Sequence, residues 1–424
     1  MRKNSHWGNV RKQFAMNSLA KWSLRFIGIL VVLALLADFL ANEKPLICKY
    51  KGHVYYPVFK EYLVDAGLSR WPSELLNVEW NKLDYDWSLF PLIPYLPQNL
   101  DRNNEHGVSP LAHQHIKSIR WRHWMGTDEL GRDILAGMLH GTRIALSIGI
   151  VSMGVALFIG LIAGSLAGFF GDERLLASRA RILLNCLFLC MALFYAFGVR
   201  AYSLRDALAN SFFKFCIELL ISFALFGGIL LVGNMLVPIL KLIPFLRTKI
   251  RIPVDMIISR IIEIMVSVPT LFLIISITAI ITKPSIFIVM LIIGLTAWTG
   301  IARFVRAELF HIRNLEYVEA ARALGFKEIR ILLRHALPNA LSPVLIALAF
   351  GIASSILTES LLSFLGIGVP AETITWGSIL ATARETPAAW WIAIFPGLAI
   401  FLTVTTYNLV GEGLTDAMDP KLKK

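Results

Sequence analysis

Eight long apolar runs dominate this chain of 424 residues, at 23–41, 144–170, 182–199, 215–238, 261–281, 285–302, 341–365 and 391–410. A helix needs about 20 such residues to cross the hydrocarbon core of a bilayer, where no water satisfies bare backbone groups. The runs therefore predict an all-α membrane protein, a polytopic transmembrane helical bundle. A soluble protein with one large core does not need so many unbroken apolar stretches. The mean hydropathy of +0.64 and a charged fraction of 17% agree.

The net charge of +12 could suggest nucleic acid, but its distribution points to a bilayer. With the N-terminus inside, residues 1–25, the loops around 171–181, 241–260 and 303–335, and the C-terminal tail hold 24 of the 41 Lys and Arg. The short loops on the opposite side hold five. Cytoplasmic loops carry this kind of excess. The remaining 12 lie in 42–143, a segment long enough to be translocated regardless of charge. The expected order is a cytoplasmic arm (1–22), an uncleaved first span (23–41), an external region (42–143) and a span at 144–170, with both termini cytoplasmic.

The external region is rich in Trp, Tyr and Pro and predicts a small irregular cap with aromatics at headgroup level. Thr127 and Asp128 are placed to cap a short helix, with Gly126 and Gly131 permitting tight turns. Gly160, Gly164 and Gly168 recur every fourth residue and offer one helical face to a close neighbour. Glu218 and Glu263 fall where headgroups are expected. Glu359 faces a polar pathway or helix partner, or else the external interface. His106, His113, His115 and His123 read as polar loop residues, since no Cys or suitably spaced carboxylate joins them. Cys48, Cys186, Cys190 and Cys216 give no disulfide framework. The chain lacks a P-loop, an H-E-x-x-H and a G-x-S-x-G motif. No catalytic residue, cofactor or metal site is expected, and no substrate-binding residue stands out.

Between two of the runs lies "EYVEAARALGFKEIRILLRHALPNA", residues 316–340. Tyr317, Ala321 and Leu324 share a face by i, i+4, i+7 spacing. Gly325 is placed to end that helix in a left-handed cap. Ile329, Leu332, Leu333 and Ala336 continue the apolar pattern, and Pro338 marks a break before the next span. The result is a cytoplasmic helix–turn–helix. Its other face carries Arg322, Lys327, Arg330 and Arg334, and Ala320, Ala321 and Ala323 are small enough to seat a helix deep in a groove. An amphipathic connector resting on lipid would show the same pattern.

"EAARALG", nine further residues and "HALP" resemble the EAA loop of ABC importer permeases. Glu319, Ala320, Ala321, Gly325, Leu337 and Pro338 fit, and His335 stands where the general pattern has Ile. The His, with "GTDELGRD" at 126–133, "LLSFLGIG" at 361–368 and "WGSIL" at 376–380, resembles the C-type permease of the dipeptide/oligopeptide branch. The resemblance covers about 125–171 and 255–424. It implies a six-span type I importer core, to which this chain adds two spans within an inserted helical hairpin at 171–254. The segment 255–424 would hold the core and the coupling loop 303–338. The resemblance also implies coupling to an ATPase through Glu319, Ala320, Ala321, Gly325, Phe326, Leu337 and Pro338. The implied partners are a second permease, two cytoplasmic ATPases that hydrolyse the ATP, and a periplasmic or lipid-anchored solute-binding protein. The setting is the cytoplasmic (inner) membrane and the substrate a di- or oligopeptide. Nickel or another small solute is the alternative within the branch. A secondary transporter would more readily show an internal repeat.

Overall fold

A computed structural model describes residues 6–76, 78–116, 118–210, 212–281, 285–367, 369–370 and 372–418. The start of the basic arm, the loop 282–284, Gly368 and the basic C-terminal tail lie outside the described residues. The chain divides into two compact units, Met1–Ser165 with Ile262–Lys424, and Leu166–Ile261.

The first unit opens with α1 (His6–Met16) and α2 (Ser18–Leu35). Asn17 separates them and caps α2, its side-chain oxygen accepting from the Ala20 N–H at 3.1 Å. A break at Leu36 precedes the short α3 (Ala37–Leu40). The external region then departs from the irregular cap expected of it. Strands β1 (Ile47–Tyr50), β2 (His53–Tyr55) and β3 (Trp87–Leu89) form an antiparallel sheet in the order β2-β1-β3, with α4 (Pro57–Asp65) following β2. Lys51 and Gly52 both adopt positive φ in the two-residue turn joining β1 to β2, the geometry that matches strand twist. Several aromatics of this region pack on one another: the Trp121 ring lies 5.6 Å from Phe90 and 5.8 Å from Tyr95. Ala41, Ile93, Tyr95 and Ala136 then seat the region on the next helix.

That helix, α5 (Ile134–Ser165), starts ten residues before the apolar run at 144. Asp133 supplies the reason: its Oδ1 accepts the Ala136 N–H at 2.6 Å and caps the first turn. The helix thus begins within the segment expected to be external. Thr127 and Asp128 cap no separate helix. They belong to a turn closed by a bridge between Thr127 and Asp133.

The second unit holds a π turn (Leu166–Phe170), β4 (Leu176–Ser178), α6 (Arg179–Leu193) continued by a π turn (Phe194–Gly198), α7 (Ala201–Asn210), α8 (Phe212–Leu240), α9 (Pro244–Arg247) and β5 (Lys249–Arg251). α6 and α8 pack at Gly233, where a Cβ would come within 2.6 Å of the Phe188 ring. Glu218 pairs with Arg200, whose Nε also donates to Ser222 Oγ at 3.0 Å. The base of the hairpin is zipped by β4 and β5, with Ser178 opposite Lys249 and Leu176 opposite Arg251. So short a ribbon has no sequence signature.

The chain leaves through α10 (Val254–Ser267) and continues as α11 (Thr270–Ile280). These two, within the span expected at 261–281, meet at a break with an 82° bend. Pro269 explains it, because proline lacks an N–H and disfavours helix in the residue before it. Glu263 is exposed on α10. Then follow α12 (Ile286–Ile312), α13 (Glu316–Ala323), α14 (Glu328–Ile331), α15 (Leu337–Phe364), α16 (Trp376–Thr382) and α17 (Trp390–Met418). Among the described residues, seven helices are long and apolar enough to cross a membrane, or eight if the bent pair is one span.

α5 and α12 cross closely at the glycines singled out in the sequence. A Cβ on Gly160 would meet Ile301 at 2.8 Å, and one on Gly164 would meet the Ala302 carbonyl at 2.7 Å. Between helices in lipid, this close approach replaces the hydrophobic drive that water would supply. α2, α5, α15, α16 and α17 share a second core around Leu30, Leu146, Ile356, Trp376 and Tyr407.

Candidate functional site

Residues 313–338 fold as two short helices whose geometry is set by Gly325. This residue has φ +81° and follows the C-cap Leu324. The Gly325 N–H donates to the Arg322 carbonyl at 2.8 Å, and the Phe326 N–H to the Ala321 carbonyl at 3.2 Å. That pair of bonds is the Schellman arrangement, and it turns the chain sharply out of α13. Across the turn Arg322 Nε donates to Glu328 Oε1 at 2.9 Å, and Arg322 Nη1 to the Arg313 carbonyl at 3.1 Å. Arg322 thereby ties the end of α12 to α13 and α14. The Arg330 guanidinium lies over the Phe326 ring at 5.1 Å.

The structure splits the apolar face expected on α13. Val318 (0% exposed) and Ala321 point into the chain, whereas Tyr317 (41%), Ala320 and Leu324 (75%) form an outward stripe at i, i+3, i+7. Glu319 and Phe326 are also exposed. The second half is divided likewise. Ile331, Leu332 and Ala336 are buried, while Ile329 and Leu333 face out. Ile331 was missed because the expected stripe ran through Ile329.

Pro338 makes no break. A π turn over Leu332–Ala336 leads from α14 into α15, with the Leu337 N–H donating to the Leu332 carbonyl. The wider turn accommodates a residue that lacks an N–H and that would crowd the carbonyl four residues back. Glu328 to Phe364 is consequently one continuous helical rod. Tyr317 and Asn339 bridge α13 to its start, Asn339 Nδ2 donating to Tyr317 Oη at 3.2 Å.

Within the bundle, a cleft of about 590 Å³ lies among α11, α12 and α15. Glu359 is not in its wall. It is buried (1% exposed) on α15 and accepts from Ser363 Oγ at 2.6 Å, so its partner lies within the protein. Nearby, Gly377 of α16 sits where a Cβ would come within 2.5 Å of the Ser360 carbonyl, and Trp376 Nε1 donates to the Met138 carbonyl at 3.0 Å.

The region preceding α5 has its own polar node. His123 (0% exposed) bonds Asp133 through Nδ1 at 2.7 Å and Asp101 through Nε2 at 3.2 Å, with Tyr95 stacked on it at 4.3 Å. Burial by itself lowers the imidazole pKa. Hydrogen bonds and charge from Asp101 and Asp133 outweigh it and push His123 up to about 9. Burial favours the neutral Asp101 carboxyl, but hydrogen bonds from His123, Asn104 and the Asn103 N–H hold it below its ordinary value. His123 is therefore a buried loop residue whose two carboxylate partners favour the protonated imidazole. Asp133 uses its other oxygen to cap α5. Trp391 Nε1 donates to the Thr127 carbonyl at 3.0 Å and fixes the same turn to α17. Among the described residues, no group of three His, Cys, Asp or Glu is placed to hold a metal ion.

Residues 242–424 match the family described as binding-protein-dependent transport system inner membrane component. A peptidoglycan transport system permease protein, YejE, of Agrobacterium fabrum is 26% identical over 97% of this chain and 92% of its own length. The inner membrane ABC transporter permease protein YejE of Escherichia coli is 27% identical over 96% of this chain and 95% of its own. The oligopeptide permease OppC of Bacillus subtilis is 28% identical, over 71% of this chain and 73% of its own. The chain is thus similar to permease components of ABC transport systems, and among its described residues are several helices long and apolar enough to make it a multi-pass membrane protein.

Proposed function

We propose that the chain is one of two permease subunits of an ATP-driven importer that carries di- or oligopeptides across the cytoplasmic membrane by alternating access. Both termini and α13–α14 lie on the cytoplasmic side, and the β-sheet region lies outside. A second permease, two ATPases on the cytoplasmic face and an external solute-binding protein complete the machine. ATP hydrolysis takes place on the ATPases. Relatives named for oligopeptide, dipeptide and, over nearly the whole chain, peptidoglycan transport support a peptide-bearing substrate.

The observation that carries the coupling role is the outward stripe of Tyr317, Ala320 and Leu324 on a helix whose end is fixed by Gly325. Apolar side chains at i, i+3, i+7 on a short helix fit a groove in a soluble partner. Glu319, Ala320, Ala321, Gly325, Phe326, Leu337 and Pro338 all belong to this element or to its junction with α15. Because α14 runs into α15 without interruption, a push on the loop passes directly into a span. Ridge-and-groove packing against α12 and α17 converts that push into a rigid reorientation. The chain performs no covalent step in this scheme.

Coexpression with the neighbouring transporter subunits, pull-down and peptide uptake into proteoliposomes test the reading. ATPase subunits are expected to copurify, and uptake to require ATP on the side of α13–α14. Peptide uptake that proceeds without any ATPase subunit would refute it.

A further inference from the structure

The cleft among α11, α12 and α15 has a one-sided chemistry. Seven of its lining side chains are hydroxyls, among them Thr296, Thr299, Ser354, Ser355 and Thr358, and the rest are otherwise apolar except for one. That one is Arg303 of α12, the single charged residue among the described residues of the wall. Arg303 also lines an adjoining hollow of about 240 Å³ beside the α10–α11 break. It is exposed there, and no hydrogen bond or ion pair ties it to the described protein. A guanidinium with five donors in a fixed fork and no protein carboxylate opposite is suited to an anion brought from outside, above all a carboxylate bound in bidentate fashion.

The hydroxyls complement that end. Thr296 Oγ1 donates to the Ile293 carbonyl at 2.9 Å, and Thr358 Oγ1 to the Ser354 carbonyl at 2.8 Å. Each hydroxyl that donates to its own helix keeps lone pairs for N–H donors in the cleft. A wall of acceptors ending in one guanidinium matches an extended peptide, with backbone N–H groups along its length and a carboxylate at one end. It does not match a bare metal cation, which hard or borderline ligands such as carboxylate and imidazole would hold. Arg303 also stands nine residues before the end of α12 at Ile312, about 13 Å along the helix that leads into α13.

We infer that this cleft takes the peptide during passage and that Arg303 receives its C-terminal carboxylate. The inference rests on the importer reading and adds a residue and an end-group preference to it.

The test compares trialanine with trialanine amide, whose terminal charge is removed, in proteoliposomes holding the whole importer and saturating solute-binding protein. Subunit composition is checked for every variant. The parent should import the acid about tenfold faster than the amide, the scale of one charge-assisted contact. Arg303→Gln should lower this ratio towards one mainly by slowing the acid, and Arg303→Lys should restore part of it. Equal rates for acid and amide in the parent overturn the inference without any variant. So does an Arg303→Gln complex that keeps the parent's ratio, whether its rates are unchanged or both reduced. A parent complex that imports neither peptide overturns the importer reading instead.

Discussion

Replacement of Gly325 by valine separates a coupling element from a surface connector. The residue has φ +81°, and a Cβ there would find nothing within 4 Å, so steric conflict with neighbours contributes nothing. The cost is in the backbone. A left-handed conformation costs an L-residue roughly 1–2 kcal/mol, with a β-branched side chain at the upper end. The chain can escape only by leaving that conformation, which gives up the Gly325 and Phe326 bonds to Arg322 and Ala321. At about 1 kcal/mol each, those two bonds cost the same ~2 kcal/mol. Either route lowers the population of the observed turn by a factor of about 30 relative to its alternatives. α14 and the Arg322–Glu328 pair then lose their register with α13, while every span keeps its sequence. Gly325→Val should insert normally, bind ATPase subunits weakly and lose most substrate-stimulated ATP hydrolysis. Gly325→Asn, a residue that tolerates left-handed backbone, should lose much less. Lys327→Ala alters only an exposed charge and should resemble the parent. If Gly325→Val assembles and couples like the parent, the helix–turn–helix does not transmit force.

Three further outcomes are expected. In a background without Cys48, Cys186, Cys190 and Cys216, single cysteines at Asn103 and Glu372 should react with an impermeant thiol reagent from outside and one at Leu324 should not; labelling at Leu324 from outside overturns the topology. Arg179 and Thr248 are hydrogen-bonded at the mouth of the β4–β5 ribbon, so replacing 179–248 by Asn-Gly should close it as a tight turn and leave an importer that assembles. Failure to associate with the second permease after correct insertion would make the hairpin an interface. For the third, the folded His123 pKa is about 9 against an ordinary 6.5, so its contribution is complete below pH 6.5 and disappears as pH rises through 9. His123→Gln should therefore lower the thermal midpoint of the purified protein at pH 6 to 7.5, and the gap from the parent should close near pH 10; a gap independent of pH removes His123 as a buried cation.

What could be read in advance was what repeats. Twenty-residue apolar runs located the spans because lipid leaves the backbone few alternatives, and glycines at four-residue spacing located the α5–α12 crossing because a missing Cβ has one use there. Gly325 was legible for a related reason: glycine after a helical pattern is a turn with a defined sign of φ. Features that depend on distant partners were not. Asp133 caps α5 through one oxygen while His123, itself bonded to Asp101, holds the other, and neither partner is near it in a sequence pattern. Glu359 is apolar-span sequence with one acid in it, and nothing local distinguishes a buried bond to Ser363 from a position at the interface. Arg303 lies inside a run of inside-facing basic residues, where the charge rule accounts for it fully, so its place in a cleft wall had no separate signal.

The two prolines act in opposite ways, and the difference bears on the proposed mechanism. Pro269 lies inside the apolar run 261–281, and there it separates α10 from α11 with an 82° bend. Pro338 was taken as a break, and there a π turn absorbs it and leaves Glu328–Phe364 continuous. Proline removes one hydrogen bond in both cases. The outcome depends on whether the preceding turn can widen. Leu332 and Ala336 are buried on either side of the π turn, so packing holds the widened turn in place. Around Pro269 the flanking Val268 and Thr270 are exposed, and nothing opposes the bend. The cleft opens beside the bent junction, and the continuous helix forms its opposite wall. A force entering at α13–α14 would thus travel along α15 as one body, whereas the wall at α11 is jointed. Relative motion of a rigid wall and a jointed one changes the width of the space between them, which is the movement an alternating-access cleft requires.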